Sequence, residues 1–189
     1  MRCLAPCRIR SVALTLLALE LLPAGRVSAD DSTGFYVGGD VGNSTEHFYD
    51  STFGVNADNT GYRIATGIRP LRVLAAEVDY VSFGRASQGI NYADTDGVAI
   101  SALGYVPLPL PIVDLYGRFG AMNWRTDAYS PPPGHGFHRD GTDVTYGGGA
   151  GGHWGGFAVR LEYERFNVAG AKTMEMTTAG LTYTFGWPF

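Results

Sequence analysis

From Thr178 to Phe189 the sequence alternates without interruption. Ala179, Leu181, Tyr183, Phe185, Trp187 and Phe189 are apolar or aromatic, and Thr178, Gly180, Thr182, Thr184, Gly186 and Pro188 are small or polar. A repeat of two puts these sets on opposite faces of a β-strand; a helix, with its repeat of 3.6, cannot segregate them. The pattern recurs along the chain. Phe157, Val159, Leu161 and Tyr163 oppose Arg160, Glu162 and Glu164, and Leu74, Ala76, Val78 and Tyr80 oppose Glu77 and Asp79. Tyr62, Ile64 and Ile68 oppose Arg63 and Arg69; Leu115, Phe119 and Ala121 oppose Asp114, Tyr116 and Arg118; Phe35, Val37 and Val41 oppose Tyr36 and Asp40. The periodicity predicts eight strands, at 34–43, 60–69, 72–83, 97–107, 112–124, 142–152, 156–166 and 175–187. No segment carries a sustained helical period. Glycine at 27 of 189 residues and aromatics at 13% suit closely approaching strands better than a helical bundle.

The gaps between these strands alternate in length. They are long at 44–59, 84–96 and 125–141, short near Pro70, at 108–111 and at 153–155, and medium at 167–174. In an up-and-down barrel with an even strand number, all long connections fall at one rim and all tight turns at the other, the asymmetry of membrane-spanning barrels. Pro107-Leu108-Pro109-Leu110-Pro111 removes three backbone donors and suits a turn outside the ladder. Asp50, Ser51, Asn56, Asp58, Asn59, Asp94, Asp96, Pro131, Pro132, Pro133 and Gly134 give the long gaps loop chemistry.

Closing the strands puts one face inside. Either the aliphatic side chains fill a soluble, lipocalin-type barrel that binds a ligand, or they face lipid around a polar interior. The charged face carries both signs and many glycines, which suits the narrow interior of an eight-stranded barrel. Tyr80, Tyr163, Phe166, Trp187 and Phe189 end the apolar face in rings, as interfacial girdles do. The expected fold is therefore all-β, an eight-stranded antiparallel up-and-down transmembrane β-barrel, over residues 30–189.

Residues 1–29 read as a cleaved secretory signal peptide, with Arg2, Arg8 and Arg10 ahead of the apolar run Val12–Leu22 and small residues at Val27-Ser28-Ala29. The alternative, a membrane anchor, meets a run too short to span. Both cysteines, Cys3 and Cys7, lie in this segment, so cleavage leaves no thiolate chemistry. It also removes Arg2, Arg8, Arg10 and Arg26 against Glu20 alone, leaving a chain more acidic than the formal −4 of the whole. An acidic chain of pI about 5.5 lacks the basic face nucleic-acid binding needs.

The ending Leu181-x-Tyr183-x-Phe185-x-Trp187-x-Phe189 resembles the C-terminal signature of bacterial outer-membrane barrels. So do Gly34-Phe35-Tyr36-Val37-Gly38-Gly39, Ala99-Ile100-Ser101-Ala102-Leu103-Gly104-Tyr105 and Asp114-Leu115-Tyr116-Gly117-Arg118-Phe119-Gly120-Ala121-x-x-Trp124. Over 34–189 the sequence resembles the eight-stranded family that includes the OmpA transmembrane domain and opacity-type surface proteins. The resemblance implies a Gram-negative outer-membrane location and recognition of Leu181, Tyr183, Phe185, Trp187 and Phe189 by the barrel-assembly machinery. It also implies a structural or surface-interaction role, with the long loops outside. The peptidoglycan-binding domain of OmpA has no counterpart before Phe189, so no cell-wall tether is implied.

Within such a barrel Asp40, Arg63, Arg69, Glu77, Asp79, Asp114, Arg118, Arg160, Glu162 and Glu164 share the lumen. They are expected to pair, because an isolated buried charge costs several kcal/mol. Such a network either fills and fixes the barrel or gates a narrow pore. Arg85, Arg125, Arg139 and Arg165 fall towards the outer rim or in the long gaps, where they either contact lipopolysaccharide phosphates or serve only as exposed, solvated charges. Outer-membrane lipid and lipopolysaccharide are thus the expected partners.

A lipid A-modifying enzyme is the third reading: His47, Asp50 and Ser51 lie close together in the first long gap, without a flanking motif. His135-Gly136-Phe137-His138 has no metal-specific spacing, and no metal or cofactor is expected. The glycines at 147–149, 151 and 152 lie in a strand pattern, where they permit close packing rather than cradle phosphate.

Overall fold

A computed structural model describes residues 33–50, 53–88, 91–110, 112–129, 137–167 and 173–186. Eight strands form one closed sheet: β1 Gly34–Asp50, β2 Phe53–Leu71, β3 Leu74–Gln88, β4 Asn91–Val106, β5 Val113–Tyr129, β6 Phe137–Trp154, β7 Phe157–Phe166 and β8 Thr173–Thr184. Each strand pairs antiparallel with its sequence neighbours, and β1 closes on β8 from Tyr36↔Thr184 to His47↔Thr173. Closure satisfies the backbone groups that an open edge would leave bare in lipid. The tight connections Arg72-Val73, 107–112 and Gly155-Gly156 share one rim with residues 33 and 186. Two bulges interrupt the ladder. One lies between Ile68 and Leu71, where Pro70 cannot donate; the other lies between Ser82 and Arg85, where Gly84 turns at φ 79°.

The strands run well past the predicted ends at the other rim. The sequence reading treats 44–59, 84–96 and 125–141 as loops, yet pairing continues to Asp50↔Phe53, Gln88↔Asn91 and Ala128↔Phe137. The inward positions described in these arms are small or polar, such as Ser44, Ala93, Thr95 and Thr126, and the outward ones no longer meet lipid, so no apolar/polar alternation marks the strands. The arms are also not one continuous wall. Pairing of β2 with β3 stops at Tyr62↔Ser82, and that of β6 with β7 at Thr145↔Phe166. Beyond the barrel, β3–β6 therefore continue as one sheet, and β8, β1 and β2 as another.

The outer surface is greasy. Ile64, Ile100, Phe119, Val159 and Leu161 are among the most exposed large apolar residues, at 57–65%. Phe35, Phe157 and Trp154 ring the turn side of this band; Tyr62, Tyr80, Tyr146 and Tyr163 ring the arm side. Phe166 departs from the girdle expected for it. It is buried inside the barrel at 1% exposure, because two residues beyond the inward Glu164 the period of two points inward again. Two inward glycines make room for rings: a Cβ on Gly149 would stand 2.6 Å from the Tyr116 hydroxyl, and Gly67 faces the Tyr36 ring in the same way.

Candidate functional site

The interior is built in three layers. At its centre three guanidiniums meet five carboxylates, all buried. Arg63 on β2 donates through Nε to Asp40 (2.7 Å), through Nη1 to Glu164 (3.1 Å) and through Nη2 to Glu162. Arg118 on β5 lies against Glu162 (2.9 Å), Glu164 (3.3 Å), Glu77 (3.4 Å) and Asp79, and donates to Ser101 Oγ at 3.1 Å. Arg160 on β7 donates to Glu77 at 2.8 Å and pairs with Glu162. Tyr36 donates to Glu77 at 2.9 Å, and the Tyr116 hydroxyl donates to Glu162. A planar fork with five donors can serve several carboxylates at once, which a lysine cannot. The network ties β1, β2, β3, β5 and β7 across the barrel.

Above this layer, towards the arms, Val81, Phe83, Ala99, Met122, Trp124, Phe166, Met174 and Met176 form a buried apolar cluster. Phe83 and Phe166 meet edge to face at 4.9 Å, and Trp124 donates to Asp143 at 2.7 Å. Thr95 and Thr126 share a hydrogen bond of 3.0 Å, and Ser44 donates to the Phe83 carbonyl at 2.6 Å. Burying these rings excludes water from the outer mouth. A sequence signal exists for Val81, Phe83, Met122, Trp124 and Phe166, which share parity with an inward charge of their own strand, as Phe83 does with Glu77 and Asp79.

Below the network, Tyr36, Ala75, Leu103 and Tyr116 form a second cluster with Tyr105 packed against it. Arg69 and Asp114 stand apart from the central network here. Arg69 donates to both Asp114 oxygens at 3.0 and 3.3 Å, and its guanidinium covers the Tyr105 ring at 3.6 Å.

Carboxylates lie beside Arg85, Arg165 and Arg125. Arg85 holds Asp94 at 2.9–3.2 Å, which raises the Arg85 side chain above the ordinary guanidinium value, and Arg165 holds Glu175. Arg125 lies in register between Asp96 and Asp140, and Arg139 opposite Thr126. Ser51 lies outside the described residues, as do the side chains of His47 and Asp50. So do His135, Trp187 and Phe189, whereas Leu181, Tyr183 and Phe185 are described, with Tyr183 tilted against Phe157 and edge to face with Phe185. His138 contacts Asp127 at 2.6 Å, but among the described residues no His, Cys, Asp and Glu group could hold a metal ion.

A closed eight-stranded barrel with a lipid-facing apolar band, aromatic rings at both ends and a charged interior defines a transmembrane protein of the bacterial outer membrane. The family model for the outer membrane protein beta-barrel domain matches residues 14–189, and the chain belongs to that family. Among solved structures it is similar to Neisserial surface protein A, at 17% identity and TM-score 0.65 over 80% of this chain and 97% of that one. Ail, the attachment invasion locus protein of Yersinia pestis, solved with the heparin analogue sucrose octasulfate, aligns at 14% identity and TM-score 0.56. It covers 79% of this chain and 98% of its own. The N-terminal β-barrel domain of Pseudomonas aeruginosa OprF aligns at 10% identity and TM-score 0.55, over 80% and 98%. No curated protein sequence matches.

Proposed function

We propose that the protein is a sealed, non-catalytic barrel that presents β-hairpin arms at the cell surface. The observation that carries this reading is the stacking of an apolar layer on a buried network of three guanidiniums and five carboxylates across the interior. A conducting pore would need a continuous polar path, and rings at the level of Phe83 and Phe166 interrupt it. Reconstituted into planar bilayers, the protein is expected to give no discrete conductance steps; regular single-channel openings would favour the gated-pore reading.

In this reading residues 1–29 direct export and are removed, and 30–189 form the mature barrel. Leu181, Tyr183, Phe185, Trp187 and Phe189 serve recognition by the barrel-assembly machinery. The surface-interaction role draws support from the arms, which pair beyond the outer tyrosine ring, and from the attachment role in the name of Ail.

Arg85, Arg125, Arg139 and Arg165 are the outer cations that would contact lipopolysaccharide phosphates. Their neighbouring carboxylates partly offset that attraction, so the contact is expected to be modest and salt-sensitive. Replacing all four by glutamine is expected to lower lipopolysaccharide retention by the purified barrel severalfold, measured by co-purification at low salt; unchanged retention would remove these residues from the account.

A further inference from the structure

The turn-side end of the interior is not filled. A cavity of about 390 Å³ opens there, rimmed by the turn residues Val73, Pro107 and Gly156 and reaching inward to Arg160. The charge network and the apolar layer close it above, so it is a dead-ended pocket facing the periplasm, in the size range of small-ligand sites.

Its polar lining is uneven. Arg69, Arg72 and Arg160 face it against one carboxylate, Asp114, while the glutamates that Arg160 binds are not part of the lining. Asp114 is already engaged, by both Arg69 nitrogens and by His153 Nδ1 at 3.4 Å. Arg69 and Arg160 use their Nη groups on carboxylates, and each has a buried Nε–H with no hydrogen-bond partner in the protein. Their side chains are only 10% and 6% exposed. The walls are flat: Tyr105 and Tyr116 pack with ring centres 5.0 Å apart, and Tyr36 and Phe157 complete the lining.

We propose that this pocket binds a small organic anion, a carboxylate or phosphate group carried on a flat ring, from the periplasmic side. With a small turn of each guanidinium, the two buried Nε–H groups would reach the anionic oxygens in charge-assisted bonds, and the tyrosines would pack on the ring. The dead end rests on the sealed interior proposed above; the arms play no part.

The test uses the full folded barrel in detergent micelles, with the arginine Nε–H resonances observed by NMR. Benzoate and phenyl phosphate are the probes, and benzyl alcohol is the uncharged control. Saturable shifts of the Arg69 and Arg160 resonances are expected with one or both anions, their ratio identifying the preferred head group, and none with the alcohol. Arg69→Gln is expected to weaken binding about tenfold or more, and Asn123→Ala, exposed on β5 away from the pocket, to leave it unchanged. Heat-dependent gel mobility checks that each variant folds; if Arg69→Gln does not, the native titration decides alone. Shifts that rise linearly without saturating, equal response to benzyl alcohol, or full affinity in folded Arg69→Gln would each overturn the proposal and leave a solvent-filled mouth.

Discussion

Arg118→Ala is expected to lower the unfolding free energy by about 3–5 kcal/mol, the usual result of removing one partner from a buried ion pair. Arg118 is fully buried and lies against four of the five central carboxylates. Deleting it leaves Asp79 without its cation and weakens the hold on Glu77, Glu162 and Glu164, which Arg63 and Arg160 must then share. Against a typical stability of about 5–15 kcal/mol the loss is large, and it should appear as a fall in the urea midpoint followed by gel mobility. Arg118→Lys restores the charge but not the fork, so its midpoint should lie between the other two. A change of less than about 0.5 kcal/mol, the range of surface substitutions, would mean the network contributes little to holding the barrel closed.

Leu161→Arg should cost about 2–4 kcal/mol in a bilayer, the penalty for a cation near the middle of the lipid-facing band. Leu161 is 61% exposed and lies between Phe157 and Tyr163 on the same face of β7. One residue earlier Arg160 is buried and paired, so the same side chain is stabilising on one face of the strand and destabilising on the other. Leu161→Phe keeps the surface apolar and is expected to stay within about 0.5 kcal/mol of the native value. Refolding into lipid vesicles, with the equilibrium followed by tryptophan fluorescence, measures both.

The barrel was legible because lipid imposes a strict rule on alternate residues. Val159 and Leu161 against Arg160 and Glu162 leave one arrangement for β7 once the greasy face meets lipid. What the rule obscures is an apolar residue on the inner face. Met122, Trp124 and Met174 sit on the polar parity of their strands, so a reading that equates apolar with lipid-facing does not notice them. Phe166 reads as a girdle residue for the same reason, although Glu162 and Glu164 fix its parity. Above the tyrosine ring the constraint vanishes: Asp94, Asp127 and His138 lie side by side on adjacent strands that nothing in their hydropathy marks as strands. The turn-side cavity is illegible for a different reason. It depends on how far Tyr105 and Tyr116 extend across the lumen, which no one-dimensional pattern encodes.

The orientation of the two faces is tested most directly by tryptophan quenching in lipid. In a variant with Trp124, Trp154 and Trp187 changed to Phe and Leu161 to Trp, the single indole should be strongly quenched by phospholipids brominated in mid-chain and ignored by aqueous iodide. The companion variant that retains only Trp124, which is 4% exposed inside the barrel, should respond to neither. An indole at position 161 that iodide reaches and brominated chains do not would put the apolar band somewhere other than in lipid, and would contradict the account.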